Sequence, residues 1–220
     1  MNGFFITATD TDAGKTRVAA GVLHVLAARG HTTAAMKPVS AGCHETTQGL
    51  RNEDALILQR QATLALPYEH VNPYAYAPMM APHIAAARSG QLIDIDHIKK
   101  IFDDVARRVD YVIVEGAGGW QVPINEHETM ANVAQALALP IILVVGMRLG
   151  CLNHALLSVE SIAHHRLPLA GWVANTRFIG VAALQHNIEA LRVRINAPLL
   201  GVVPYLENVD AESVGRYLDL

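Results

Sequence analysis

Cysteine and long apolar runs are both scarce in this sequence. Its 220 residues hold two cysteines, Cys43 and Cys151, which do not form a CxxC pair. This usage favours reduced thiols over a disulfide framework. The apolar stretch Leu139–Gly146 is too short to cross a bilayer, and the first residues lack the features of a secretion signal. We therefore expect a cytoplasmic protein without a membrane partner.

Clusters of positive charge and of metal ligands are also missing from the sequence. The chain has 17 lysines and arginines against 20 acidic residues, a net charge of −3, and its basic residues are scattered. A nucleic-acid partner is therefore not expected. The adjacent histidines His164-His165 have no HExxH motif or Cys/His cluster beside them. We interpret the histidines as surface or structurally satisfied residues.

Short apolar runs alternate with helical patterns along the chain. The content of 51% hydrophobic and 17% charged residues indicates a globular protein, and the length suits one P-loop α/β domain over residues 1–220. Short, β-branched runs favour a mostly parallel central sheet with helices on both faces. The predicted strands are Phe4–Ala8, Ala34–Val39, Tyr111–Glu115, Ile141–Gly146, Ala170–Asn175 and Leu199–Val203.

Two helices and one irregular segment are also predicted. The stretch Ile98–Val109 spaces its apolar residues three and four apart, which marks one buried stripe. A helix over Lys15–Arg29 follows the first strand, with Gly30 as its expected C-cap. The segment Tyr68–Pro82 combines prolines with aromatic residues that need burial, so we expect an ordered excursion near the functional site.

The first strand-to-helix turn is the most informative motif. It reads Thr9-Asp10-Thr11-Asp12-Ala13-Gly14-Lys15-Thr16, and a strand that turns through Gly-Lys-Thr into a helix is the layout of a P-loop. Thr9 stands where the usual first glycine would, so the loop is a variant, one residue longer, that begins at the small residue Ala8. Backbone N–H groups and the helix dipole favour phosphate there. The expected ATP contacts are Asp12, Ala13, Gly14, Lys15, Thr16 and Arg17.

Lys15 and Thr16 would carry the chemistry of this loop. Lys15 is expected to neutralise charge on the β- and γ-phosphates, and the Thr16 hydroxyl to bind Mg²⁺. The alternative is an ordinary strand–turn–helix with an exposed lysine. That alternative places a cation at the positive end of a helix dipole, which is mildly unfavourable without an anion.

Charged residues at two further strand ends are candidates for the same site, because ligands gather at the carboxyl ends of parallel strands. Lys37, held extended by Pro38, would reach the γ-phosphate, and a solvated lysine is an equally good interpretation. Glu115 would supply a carboxylate to Mg²⁺, and Asp54 a second one, unless Asp54 is an ordinary acid at a helix start. Glycines after Glu115 let backbone approach a ligand, which adds Gly116, Ala117 and Gly118 to the ATP contacts.

Three later turns are weaker candidates. The start of a helix after the fourth strand offers free N–H groups to an anion at Gly150, Cys151, Leu152 and Asn153. The fifth strand ends in Asn175-Thr176, and an asparagine amide can both donate to and accept from adenine. The sixth is followed by Pro204-Tyr205-Leu206. Each of these turns is also compatible with a routine connection.

Taken together, these motifs resemble the dethiobiotin synthetase family. The matching stretches run over nearly the whole chain in family order, and EGAGGW and GC-x-NHA are far more specific than a P-loop. They are Thr9–Thr16, Lys37–Val39, Leu50–Ala55, Val71–Tyr74, Val114–Trp120, Leu149–His154, Gly171–Asn175 and Pro198–Gly201.

The resemblance implies a cyclo-ligase that closes the ring of dethiobiotin. Its substrates would be 7,8-diaminononanoate, CO₂ or bicarbonate, and ATP with Mg²⁺. A carbamate would form on one amine, ATP would phosphorylate it, and the other amine would close the ureido ring. The resemblance also implies a homodimer with its sites at the subunit interface.

The resemblance also assigns roles to residues. Lys37 and Lys15 would be catalytic, Thr16, Asp54 and Glu115 would hold Mg²⁺, and Asp210 would contact the ribose. The substrate would meet Thr11, Lys37, Ser40 and Ala41, with its carboxylate tail at Gly150–Asn153 of the other subunit. Asn175, Thr176, Pro204, Tyr205 and Leu206 would hold the adenine.

The sequence departs from the family pattern at two places. Alanine replaces the family's usual glycine at Ala8, which is a small change. After Lys37-Pro38-Val39 the family places a Ser or Thr directly before the glycine, where this chain has Ala41, and the hydroxyl stands one residue earlier at Ser40. Neighbouring side chains of an extended segment point opposite ways, so Ser40 cannot simply replace that contact. Either the loop shifts or this contact is missing, and a missing hydrogen bond would weaken substrate binding by about 1 kcal/mol.

Other classes are less compatible with the sequence. A cobyrinate-type amidotransferase needs a glutaminase domain, for which 220 residues leave no room. A P-loop ATPase switch of the partition or placement type carries an extra lysine early in its P-loop, where this chain has Asp10, Thr11 and Asp12. An α/β protein with a vestigial P-loop is the remaining alternative.

Overall fold

The structure is a computed structural model that describes residues 2–177, 180–207 and 209–220. The strands are β1 (Asn2–Ala8), β2 (Thr33–Met36), β3 (Val39–Ala41), β4 (His44–Thr46), β5 (Gly49–Arg51), β6 (Tyr74–Tyr76), β7 (Tyr111–Glu115), β8 (Ile141–Gly146), β9 (Leu169–Asn175) and β10 (Leu199–Val203). The helices are α1 (Lys15–Ala28), α2 (Glu53–Gln61), α3 (Tyr68–Val71), α4 (Pro82–Ser89), α5 (Ile95–Ala106), α6 (Met130–Leu137), α7 (Cys151–His164), α8 (Leu184–Arg194) and α9 (Ala211–Gly215).

Six strands form one parallel sheet in the order β10-β9-β8-β1-β7-β2. Strand β1 lies near the middle, with β7 on one side and β8 on the other. Because all six run in the same direction, the turns that leave their carboxyl ends meet at one edge of the sheet. Two small pairs, β3 with β6 and β4 with β5, stand apart from this sheet.

Alternating side chains on the central strands determine which helices pack on which face. On β7, Val112 and Val114 face a core that includes Phe102 of α5, whereas Ile113 faces a core that includes Leu23 of α1. This alternation is the period of two expected for a strand. The predicted parallel sheet with helices on both faces is confirmed, and in the part of the chain described here no helix has the length and apolar character needed to cross a membrane.

The predicted bounds of one helix and one strand are wrong. The helix predicted over Ile98–Val109 spans Ile95–Ala106, because the Asp94 side chain accepts hydrogen bonds from the N–H groups of Asp96 and His97 and caps it three residues earlier. The strand predicted over Ala34–Val39 ends at Met36. Lys37 turns away to pair its N–H with the carbonyl of Val71, at 2.7 Å, and Val39 begins the separate strand β3.

Several other local predictions are confirmed. Strands β7, β8 and β10 have the predicted bounds, and the predictions for β1 and β9 differ from the structure only at their first residues. Gly30 has the left-handed φ of 85° expected after a helix, and its N–H bonds to Ala27. The excursion Tyr68–Pro82 is ordered, with the rings of Tyr74 and Tyr76 buried.

We predict that Phe102→Ala destabilises the protein by about 3–5 kcal/mol, because Phe102 is fully buried between α5 and the sheet and its removal leaves a cavity. Chemical denaturation measures the change. The matched control is Lys100→Ala on the exposed side of the same helix, which should change stability by less than about 0.5 kcal/mol. Equal effects of the two substitutions would contradict the assigned helix face.

Candidate active site

The P-loop connects the end of β1 to the start of α1 at the middle of the sheet edge. Gly14 takes a left-handed φ of 94° immediately before α1, and a Cβ at this position would collide with the amide of Asn175. Glycine is therefore required at this position, because the backbone is left-handed and because there is no room for a side chain. Asp12 also lies in the left-handed region, at φ 59°. Gly14 and the first residues of α1, Lys15, Thr16 and Arg17, line a cavity at this edge of the sheet.

Lys15 is buried at the first position of α1, with 6% of its surface exposed, so the exposed-lysine alternative is wrong. Its Nζ donates to the carbonyl of Asp10 at 3.4 Å. Burial is the main cause that lowers its pKa to about 8; Glu115 opposes this shift and the charge of Lys37 adds to it. A buried ammonium with a depressed pKa favours an anion beside it.

Lys37 is also buried, which rules out the solvated lysine considered above. Its Nζ lies 2.6 Å from Glu115 Oε1 and 3.3 Å from Asp54 Oδ2. Burial lowers the pKa of Lys37, but the charges and hydrogen bonds of Glu115 and Asp54 outweigh it, so the pKa is raised above its ordinary value. The ammonium therefore stays charged at neutral pH.

The predicted magnesium ligands converge around the same carboxylate. Thr16 Oγ1 donates to Glu115 Oε1 at 2.9 Å, and Glu115 Oε2 is buried without a hydrogen-bond partner among the described residues. Asp54, about half exposed, opens toward the cavity from the first turn of α2. A hydroxyl and two carboxylates that leave room for water are a donor set that suits Mg²⁺. The residues present therefore fit this ion.

The excursion Tyr68–Pro82 fixes the backbone of Lys37. Asn72 is buried and donates from Nδ2 to the carbonyl of Lys37 at 2.6 Å. Its Oδ1 accepts from the hydroxyl of Ser40 at 2.7 Å and from that of Tyr68 at 3.0 Å. Ser40 therefore uses its hydroxyl inside the protein, in support of Lys37. Asn72 is a supporting residue to which the sequence analysis gave no role of its own.

These residues line a cavity of about 790 Å³. More than half of the lining residues are predicted site residues: Thr11, Asp12, Gly14, Lys15, Thr16, Arg17, Lys37, Ser40, Ala41, Asp54, Glu115, Ala117, Gly118 and Asp210. The structure thus brings together residues from the P-loop and from the ends of β2 and β7. Asp210 also caps α9 by accepting from the N–H of Ser213.

Other predicted site residues do not line this cavity. Among them, Asn175 and Thr176 are buried at the end of β9, and Gly150–Asn153 form the start of α7. The remaining ones are Ala13, Gly116, Pro204, Tyr205 and Leu206. Their roles toward adenine and toward a partner's substrate stay predictions.

Part of the cavity wall was not predicted. The new lining residues are Asn52, Ile57, Met79, Met80, Ala81, Pro82, Val122, Arg177, Val209 and Ala211. Most are apolar residues of loops and helix ends, whose place near the P-loop depends on tertiary packing. The expectation that the proline-rich excursion lies near the site pointed to Met79, Met80, Ala81 and Pro82 as a group, but not to the individual residues.

Arginines add positive charge next to the P-loop. Arg17 lies on the first turn of α1, and burial lowers its pKa, with the charge of Arg177 as the second cause. Arg177 pairs with Asp12, and Arg148 with Asp10. The acidic residues of the loop are thus neutralised by arginines that follow β8 and β9, which leaves the cavity favourable to anions.

A left-handed glycine before a helix that starts with a buried lysine, beside a carboxylate and a hydroxyl, is the arrangement of a P-loop nucleotide-binding site. The fold and the site together define a P-loop NTPase-like α/β protein.

Comparison with known proteins identifies the family. A family model described as AAA domain matches residues 2–213. The ATP-dependent dethiobiotin synthetase BioD of Cellvibrio japonicus is 54% identical over 217 residues, covering 99% of this chain and 95% of the relative. The protein of the same name from Pseudomonas aeruginosa is 50% identical over 221 residues, covering 100% and 97%. The chain belongs to the dethiobiotin synthetase family.

Solved structures with the same fold are more distant. A chain of the MinC:MinD cell division protein complex of Aquifex aeolicus matches with a TM-score of 0.62 and 16% identity, covering 100% of this chain and 87% of that one. MinD of Pyrococcus horikoshii, described as complexed with Mg-ADP, matches with a TM-score of 0.59 and 13% identity, covering 99% and 87%. At this identity the likeness shows the fold alone.

We predict that ATP binding is coupled to proton uptake by Lys15 in alkaline solution. The pKa of Lys15 is about 8 in the empty site, and the phosphates raise it. Affinity should therefore fall above pH 8, approaching tenfold per pH unit. Calorimetry at pH 8.5 in buffers of different ionisation enthalpy should detect about 0.7 proton taken up per ATP.

The control for this experiment is Lys15→Arg, because a guanidinium stays charged throughout this range. Its absolute affinity will be lower, but the proton uptake should disappear. Uptake that persists in the arginine variant would assign the proton to another group.

Proposed function

We propose that this protein catalyses the ATP-dependent conversion of 7,8-diaminononanoate and CO₂ to dethiobiotin, ADP and phosphate. The observation that carries the proposal is the pair of buried lysines, Lys15 and Lys37, in one cavity with Thr16, Asp54 and Glu115. Family membership supports the same activity, since the relatives are named ATP-dependent dethiobiotin synthetases.

The reaction forms two bonds to the carbon of CO₂. One substrate amine attacks CO₂ and loses a proton to give a carbamate. The γ-phosphoryl group of ATP moves to a carbamate oxygen, which gives a carbamic-phosphoric anhydride and ADP. The second amine then attacks the carbonyl carbon, loses a proton and expels phosphate as the ureido ring closes. Every intermediate before ring closure is anionic.

Lys15 and Lys37 would stabilise these anions. Both ammonium groups are fixed in place before the substrate arrives, Lys15 by the start of α1 and Lys37 by Glu115, Asp54 and Asn72. Preorganised charge in a site with little water lowers the energy of a developing anion without a reorganisation cost. We assign Lys37 to the carbamate and the transferring phosphoryl group, and Lys15 to the β- and γ-phosphates.

Thr16, Asp54 and Glu115 would hold Mg²⁺. When bound, the ion would neutralise phosphate charge during transfer. Glu115 offers the oxygen Oε2, which has no hydrogen-bond partner in the described part of the chain. Asp54 offers a carboxylate at the cavity, and Thr16 a hydroxyl already within hydrogen-bonding distance of Glu115.

An apolar part of the cavity wall would bind the methylene chain of the substrate. Ala41, Met79, Met80, Ala81 and Pro82 give this wall apolar surface. The chain would end in a carboxylate bound at Gly150–Asn153 of a partner subunit. A homodimer with shared sites accounts for why these residues do not line the cavity of their own chain.

A P-loop ATPase switch of the partition or placement type is the alternative. The MinD neighbours share the fold at only 13–16% identity, whereas the synthetases of Cellvibrio japonicus and Pseudomonas aeruginosa are 54% and 50% identical. A switch would hydrolyse ATP without a diamine, so the two proposals differ in a measurable way.

We predict that phosphate release from ATP and Mg²⁺ with bicarbonate requires 7,8-diaminononanoate. One phosphate should appear for each dethiobiotin found by mass spectrometry. Lys37→Gln should lower the rate by at least about 100-fold, because it removes a preorganised charge next to the reacting anion. The matched control, Lys100→Ala on the exposed face of α5, should retain the rate. ATP hydrolysis indifferent to the diamine would support the switch instead.

We predict that Ala41→Ser lowers the KM for the diamine about fivefold, because a new hydrogen bond contributes about 1 kcal/mol. Both Ser40 and Ala41 line the cavity, but the hydroxyl of Ser40 is already used as a donor to Asn72. The KM for ATP and the melting temperature should barely change. Ser40→Ala is the contrasting variant, since loss of its buried hydrogen bond should destabilise the fold by about 1–2 kcal/mol. An unchanged or higher KM for Ala41→Ser would place the substrate away from this wall.

A further inference from the structure

A P-loop can receive phosphate only if its N–H groups point into the cavity. The carbonyl groups of the same peptides then point away from the cavity, where hydrogen-bond donors can hold them in place. The donors that hold these carbonyls decide whether the loop is preformed before ATP arrives. The question is therefore which side chains supply them.

Asn175 supplies one donor. It is buried at the carboxyl end of β9, and its Nδ2 donates to the carbonyl of Ala13 at 2.7 Å. The same amide lies where a side chain at position 14 would have to go, which ties the glycine of the loop to this asparagine. Asn175 thus contacts the phosphate-binding loop directly.

Arg177, two residues further on, supplies the second donor. Its Nη1 donates to the carbonyl of Asp12 at 2.7 Å and lies 3.6 Å from the Asp12 carboxylate. Asp12 has a left-handed φ of 59°, a conformation that a non-glycine residue adopts at a cost. A donor on its carbonyl and a cation on its carboxylate stabilise that conformation. The side chain of Arg177 is about one-third exposed, at 32%.

We propose that Arg177 is a positioning residue for the P-loop, acting with Asn175 to hold the Asp12 and Ala13 carbonyls away from the cavity, so that the N–H groups of the loop are preformed for phosphate. The inference rests on the proposed nucleotide-dependent function. It assigns Arg177 to the loop and not to the adenine base, although the neighbouring Asn175-Thr176 are candidates for base contact.

The arrangement also couples the two ends of the nucleotide site. If Asn175 binds the base, and Gly14 and Lys15 bind the phosphates, one hydrogen bond links the two binding sites. That bond runs from the amide of Asn175 to the carbonyl of Ala13. Arg177 adds a second link between β9 and the loop. Preorganisation of this kind raises the affinity for a ligand, because less conformational entropy is lost when the loop binds it.

The test compares Arg177→Ala and Arg177→Lys with the wild-type protein in two measurements. Hydrogen–deuterium exchange of the segment 9–16 without ligand reports on whether the loop is preformed. Calorimetric affinities for ATP and for inorganic tripolyphosphate, both with Mg²⁺, separate the phosphate site from the base site. Arg107→Ala is the matched control, because Arg107 pairs with Asp104 on the exposed surface of α5.

In Arg177→Ala we expect about tenfold faster exchange of the segment, together with a loss of about tenfold in affinity for both ligands. The KM for ATP should rise by a similar factor while the KM for the diamine changes less than twofold. Arg177→Lys should restore most of the affinity because it keeps a charged donor, and Arg107→Ala should match the wild type.

Three results would overturn the inference. Unchanged exchange of the segment in Arg177→Ala would show that the loop does not depend on this arginine. A loss of ATP affinity with tripolyphosphate unaffected would move Arg177 to the base or ribose. Wild-type protein that binds neither ligand would contradict the proposed function itself, and the inference with it.

Discussion

The buried ion pair between Lys37 and Glu115, at 2.6 Å, is the interaction on which the site depends. Removing two charges from water is costly, and the attraction between them compensates only where further polar groups complete their surroundings. Asp54 and Thr16 do this from the side of the cavity. The pair also keeps Lys37 charged, and only a charged lysine can attract an anionic intermediate. Stability and chemistry thus depend on the same contact.

The topology of the sheet brings that contact about. Lys37 follows β2, Glu115 ends β7 and the P-loop follows β1, and these three strands are neighbours in the order β1-β7-β2. Thr16 and Glu115 are 99 residues apart in sequence yet share a hydrogen bond. Parallel strands require this outcome, because every strand then delivers its carboxyl end to the same edge. The small pair β3 and β6 adds the excursion that anchors the backbone of Lys37.

Much of the fold and part of the site were predictable because they depend on local patterns. Apolar runs determine the central strands, and the strand-to-helix turn at Gly14-Lys15 determines the P-loop. Lys37 and Glu115 were found because they stand at strand ends. The start of α5 and the end of β2 were missed because each depends on the hydrogen bonds of one residue, Asp94 and Lys37 respectively. Arg177 and Met79 were missed because only tertiary packing brings them to the cavity.

This chain has its hydroxyl at Ser40, one residue before the position that carries it in the family pattern, and that shift is related to the support of Lys37. Neighbouring residues of β3 face opposite ways, so a single hydroxyl can serve either the interior or the cavity. At Ser40 it serves the interior, where it donates to Asn72, and Asn72 in turn donates to the carbonyl of Lys37. The hydrogen bond from Ser40 thereby fixes the orientation of the Asn72 side chain, and Asn72 in turn fixes the backbone position of Lys37. Ala41 therefore presents only a methyl group to the cavity, and any hydrogen bond to a ligand at this place has to come from another residue.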